Sequence, residues 1–227
     1  EKGNWKYMIL RAGFGTLGIL CNFYAVDHLV LSDASMLNKM SPFFVILFSF
    51  LILKEKLTPI QVTAVCGAFI GSLFIIKPTF LNMNIVPSLI GLCGGLCAGI
   101  AYTMVRVLGQ RGQKGVSVVL FFSGFSCLVT LPYLLLNYHT MSMWQGIVLL
   151  GAGVAAAGGQ FAITAAYYHA PAREISVYDY SQIIFSAIIG FALFHQIPDR
   201  YSVLGYVIII GMAVWMFFYN QRRDASD

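Results

Sequence analysis

The chain has 227 residues, of which 59% are hydrophobic and only 10% charged, with a formal net charge of +5 and a mean hydropathy of +0.78. A soluble domain carries about 25% charged residues, so this composition excludes an ordinary soluble globular domain. The basic residues are spread over short connections between apolar segments, which excludes a nucleic-acid-binding surface as the source of the charge.

Apolar segments of about 20 residues, the length that spans about 30 Å of hydrocarbon as a helix, follow one another along the chain. The predicted spans run from Lys6 to Leu29, Asp33 to Leu53, Thr58 to Ile76, Pro87 to Gly109, Val116 to Leu136, Trp144 to Tyr168, Ala172 to Phe194 and Tyr201 to Tyr219. Within them, Phe43 to Leu53 and Val207 to Phe218 are almost continuously apolar and lack the polar face of a helix in water. The expected fold is an all-α polytopic membrane protein with about eight transmembrane helices, and its first partner is the lipid bilayer.

The connections sort into two sets. Lys2, Lys6, Lys54, Lys56, Arg111, Lys114, Arg173, Arg222 and Arg223 fall on one side, with little beyond Lys77 and Arg200 on the other. By the positive-inside rule the first side is cytoplasmic, and so are both ends of the chain. Trp5, Tyr7, Trp144, Trp215 and Tyr219 sit at span ends as interfacial anchors, and Arg11 and Arg106 are expected to snorkel to the cytoplasmic interface. Cys21, Cys66, Cys93, Cys97 and Cys127 all fall within spans, against a disulfide framework, and no metal site or cofactor is expected. His28, His139, His169 and His195 read as interface histidines.

Asp33 to Pro59 overlays Glu174 to Arg200 without a gap, each stretch being a span, a short polar turn and the start of another span. The overlay makes the repeat unit five spans, with the two copies in opposite orientation. Pro87 to Tyr219 is one full unit, whereas Lys6 to Ile76 supplies three spans of the other, so about two helices are expected upstream of Glu1.

The segment LSDASMLNKMSPFFVILFSFLILKEKLTPIQ, with its Ser-Pro in midspan and its Leu-Lys-Glu-Lys-Leu turn, resembles the EamA-like permeases of the drug/metabolite transporter superfamily, as does APAREISVYDYSQIIFSAIIGFALFHQIPDRYS. Pro42 and Glu55 match the family pattern, where the second half has Ile183 and Gln196. The resemblance implies a ten-helix inner (plasma) membrane transporter of two inverted repeats, moving small metabolites or drugs. Residues 1–80 would then be an incomplete first repeat of three helices and residues 87–221 a complete second repeat of five. With no ATPase domain, such a permease or exporter would work by alternating access, either facilitated or proton-coupled. The alternative reading is a membrane interaction or scaffold module.

Ionisable groups inside spans are functional candidates because an uncompensated charge there costs about 2.5 to 3.5 kcal/mol on insertion scales. Lys39 and Asp179 each lie several residues inside their spans. They are expected either to line the substrate path or to form a packed ion pair, with Asp179 the candidate for proton coupling and Asp33 too close to water for that role. Asn38, Ser41, Tyr178 and Gln182 complete the expected pathway, while Asn22 and Gln160 suit binding or interhelical hydrogen bonding equally. Pro42, in mid-span, is expected to leave a carbonyl of the preceding turn unpaired and to act as a hinge or a fixed kink. Gly91, Gly95 and Gly99 recur on one helical face, and Gly67 with Gly71 on another; internal helix packing is the expected use, with a homodimer as the alternative. No enzyme constellation such as His-Glu-x-x-His or Gly-x-Ser-x-Gly is present.

Overall fold

The computed structural model describes residues 3–53, 58–76, 85–137, 140–169 and 181–224. They form helices α1 (Trp5–His28), α2 (Leu31–Asn38), α3 (Ser41–Leu53), α4 (Pro59–Ile76), α5 (Ile85–Gln110), α6 (Gly115–Leu136), α7 (Met143–His169), α8 (Ser181–Phe194) and α9 (Arg200–Asp224), with no strand among the described residues. Among the described residues seven stretches are long and apolar enough to cross a membrane, with Leu31–Ile52 counted as one. Helices are the expected outcome, because in hydrocarbon every backbone N–H and C=O must be satisfied within the chain. Apolar side chains on the outer faces of α6 and α7, such as Leu136 and Val154, are exposed to what would be lipid.

The second span departs from expectation. It is two helices, α2 and α3, joined at Lys39 and Met40. The Lys39 N–H donates to the Ser35 carbonyl at 3.0 Å, and the Met40 N–H tightens to the Leu37 carbonyl at 3.2 Å. The ladder restarts when the Phe43 and Phe44 N–H groups both donate to the Met40 carbonyl. Pro42 is therefore not in mid-helix. It is buried in the first turn of α3, where the N–H it lacks is one that no helix pairs internally. Pro42→Ala should accordingly change stability by less than about 1 kcal/mol, whereas a proline inside a helix interior is worth about 3 kcal/mol. Thermal unfolding in detergent checks this; a large gain in stability on removing the proline would contradict it.

Among the described residues two apolar clusters hold the bundle. The larger joins α2, α3, α4 and α9 around Met36, Leu37, Met40, Phe43 and Ile209, all with 0% exposure. The smaller gathers Val45, Val105, Leu108, Val118 and Tyr167 from α3, α5, α6 and α7. Both glycine faces are used within this one chain. Gly91, Gly95 and Gly99 of α5 receive the broken α2/α3 segment: a Cβ at Gly95 would stand 2.6 Å from the Leu37 carbonyl oxygen. Gly67 and Gly71 of α4 receive α9, where a Cβ at Gly205 would stand 2.6 Å from the Gly71 carbonyl oxygen.

The start of α1, the α5–α6 turn and the end of α7 meet at one end of the bundle. Asn4 donates through Nδ2 to Gln113 Oε1 at 3.1 Å, and the Tyr168 hydroxyl donates to the Gln113 carbonyl at 2.9 Å. Arg111 lies over the Tyr7 ring and donates to its hydroxyl at 3.1 Å.

Candidate functional site

Helix α1 carries Arg11, Gly15, Gly18 and Asn22 at spacings that put them on one helical face. This face turns inward. The two glycines let neighbouring backbone and rings come close: a Cβ at Gly18 would lie 3.2 Å from the Gly94 carbonyl oxygen of α5, and one at Gly15 would collide with the Arg11 guanidinium and the Phe122 ring. Between these helices lies a cavity of about 70 Å³. Polar groups reach it from four elements: Arg11 and Asn22 on α1, Asn38 at the end of α2, Tyr102 on α5 and Gln160 on α7, with Phe122 of α6 as an apolar wall. Gly15, Gly18 and Ile19, which line it, sit near the middle of the 24-residue α1, so the cavity lies near the depth of a bilayer midplane.

Arg11 dominates the site. It is 2% exposed, donates from Nη2 to Gln160 Oε1 at 3.0 Å, and stacks its guanidinium on Phe122 with Cζ 4.0 Å from the ring centroid. Its Nε has no hydrogen-bond partner among the described residues. Three of the described carboxylates are engaged elsewhere: Asp27 beside His28, Asp33 on Tyr206, and Asp199 accepting from the Ser202 N–H. A cation–π contact returns about 2 kcal/mol when desolvated, and one neutral hydrogen-bond acceptor adds little more. Burying the charge costs several kcal/mol, more than these two contacts among the described residues return.

This corrects the expectation that Arg11 snorkels to the interface. Distance from the span end suggested that it would, but α1 is enclosed by α5, α6 and α7 at that level and Gln160 offers an acceptor inward. The signal that would have found it is the shared face of Arg11 with Gly15, Gly18 and Asn22.

The other expected pathway residues are placed as follows. Asn38 lines the cavity with Arg11. Lys39 is half-buried in the α2–α3 turn, and Ser41 is buried with its carbonyl facing Gly99. Gln182 is exposed on α8 and does not line the cavity. Tyr178 and Asp179 lie outside the described residues. Asn22 and Gln160 both reach the cavity, and Gln160 also makes an interhelical bond to Arg11. Tyr102 and Phe122 carried no sequence signal of their own.

A second polar cluster ties α2 to α8 and α9. Asp33, expected near water, is 9% exposed, and Oδ1 accepts a hydrogen bond from the Tyr206 hydroxyl at 2.5 Å, with Ser32 Oγ 3.0 Å from the same hydroxyl. Ser35 and Ser186 share a hydrogen bond of 2.8 Å, and the Leu31 N–H donates to Gln196 Oε1 at 2.9 Å. Removing the donor should leave a buried carboxylate short of a partner. Tyr206→Phe is expected to cost about 1–3 kcal/mol, read as a lower melting temperature; a melting temperature equal to that of the wild type would show that the contact is not a clamp. Among the described residues no group of three or more His, Cys, Asp or Glu could hold a metal ion, and the five cysteines are unpaired.

Comparison with known proteins places this architecture. The sequence profile of the EamA-like transporter family matches residues 1–77 and 89–218. The chain is 32% identical over 206 residues to the pseudopaline exporter of Pseudomonas aeruginosa (strain UCBPP-PA14), covering 89% of this chain and 72% of the exporter. It is 27% identical over 226 residues to the riboflavin transporter of Brucella anthropi, covering 96% of this chain and 77% of that protein. A solved crystal structure of 18% identity superposes with a TM-score of 0.61 over 96% of this chain and 78% of its own, which supports the fold. The chain is a multi-pass membrane protein that belongs to the EamA-like transporter family.

Proposed function

We propose that the chain carries a small metabolite across the plasma membrane by alternating access, with the cavity around Arg11 as its substrate site. The observation that carries this reading is a polar, arginine-bearing cavity near mid-depth between apolar spans. Polar side chains are expensive at that depth and mark substrate pathways. The helix break beside Asn38 supports it, because irregular backbone at membrane depth is tolerated where protein or a cavity surrounds it, and transporters use such breaks at their binding sites. The two relatives are named for different cargoes, pseudopaline and riboflavin, so membership alone does not select one.

In this reading residues 1–80 hold three helices of one repeat and residues 87–221 the five helices of its inverted counterpart, and the profile's match in two separate stretches supports that division. Both ends are cytoplasmic, in keeping with Lys6, Arg111 and Lys114 at the end where α1 begins and α5 meets α6. Transport is either facilitated or coupled to protons through Asp179. A homodimer would use surfaces other than the two glycine faces, which meet helices of the same chain.

Counterflow uptake in proteoliposomes, across labelled amino acids, nucleosides, sugars and carboxylic acids, tests the function. Saturable uptake of at least one class is expected. Protein that is folded, reconstituted and silent across the panel would contradict it.

A further inference from the structure

We propose that the Arg11 cavity binds a carboxylate group of the transported molecule; this rests on the carrier reading above and narrows its substrate class. Three observations converge. The guanidinium is buried, and its Nε faces no acceptor among the described residues. A guanidinium has five N–H donors in a planar fork, of which Gln160 takes one from Nη2. The cation thus keeps donor capacity, and a planar carboxylate is the group that such a fork recognises with charge-assisted bonds.

The surroundings choose between anions. Among the described residues Arg11 is the one cation lining the cavity, and the other polar groups are neutral: the amides of Asn22, Asn38 and Gln160 and the phenol of Tyr102. One guanidinium balances one carboxylate, whereas a phosphate near two negative charges would call for a second cation. A neutral cargo such as a sugar would leave the guanidinium uncompensated. Phe122, stacked on the guanidinium, offers an apolar wall to the carbon skeleton beside the carboxylate.

The test uses the full chain purified in detergent and three probes at matched ionic strength: lactate, its isosteric amide lactamide, and inorganic phosphate. Lactate is expected to raise the melting temperature saturably while lactamide and phosphate do not. Arg11→Gln should weaken the apparent lactate affinity about 10- to 100-fold, and Arg11→Lys should restore part of it. Equal responses to lactate and lactamide, or an Arg11→Gln protein that responds like the wild type, would overturn the proposal. Stabilisation by phosphate alone would overturn the choice of carboxylate. Counterflow on the same preparation separates the two levels. Uptake of neutral cargo without a lactate response removes this proposal and leaves the carrier. A lactate response without uptake of any cargo keeps the anion site and removes the carrier.

Discussion

Exchanging Arg11 for glutamine is expected to cut carrier-mediated uptake about 10- to 100-fold while making the empty protein more stable. The two effects share one cause. The guanidinium sits 2% exposed against Phe122 and Gln160, with no carboxylate in ion-pairing distance among the described residues. Replacing the buried charge by the shorter, neutral glutamine gives up the contacts to Phe122 and Gln160 but also removes a desolvation penalty of several kcal/mol, which is the larger effect. For a chain of this size each kcal/mol moves the melting temperature by about 2–4 °C. A residue kept only for packing would lose stability on substitution, so a melting temperature that falls together with uptake would contradict a binding role. Sites that hold strain or unpaired charge for function show this opposition of activity and stability.

Gly95→Val is expected to be the most damaging single change to the fold. A Cβ there would stand 2.6 Å from the Leu37 carbonyl oxygen and 3.2 Å from that of Asn38. These are backbone atoms at the α2–α3 break, and they cannot swing aside as a side chain does. Met36, Leu37 and Met40, all with 0% exposure, pin that segment into the larger apolar cluster. Overpacking of this kind costs about 1–3 kcal/mol or more, and because Asn38 lines the cavity, uptake should fall as well. Gly151→Val, on α7 where a Cβ meets nothing within 4 Å, is the control and should leave the melting temperature within about 1–2 °C. Equal effects at the two sites would mean that the α5 glycines are not holding the broken helix.

The membrane fold was legible because hydrocarbon thickness sets helix length, and α1, α4, α5, α6, α7 and α9 follow from apolar runs alone. The break between α2 and α3 was not. Leu31 to Leu53 has the hydropathy of one continuous span, and the Ser41-Pro42 pair reads equally well as a mid-helix kink or as a first turn. What selects the first turn is tertiary: the α5 glycines give the interrupted backbone a place to lie. Arg11 and Asp33 were misjudged for a related reason. Depth along one helix says nothing about which neighbours surround it, and here Gln160 and Tyr206, both far away in sequence, turn the two charged groups inward. Asn38, singled out in the sequence because polar residues at that depth are costly, lines the same cavity as Arg11.

The central claim, that cargo binds at Arg11, is tested most directly by a structure of the chain with a transported carboxylate bound. Its carboxylate oxygens should lie about 2.7–2.9 Å from guanidinium nitrogens of Arg11, with Asn22 or Asn38 within hydrogen-bonding reach. Cargo seated elsewhere, with the Arg11–Gln160 and Arg11–Phe122 contacts unchanged and no density beside the guanidinium, would contradict it.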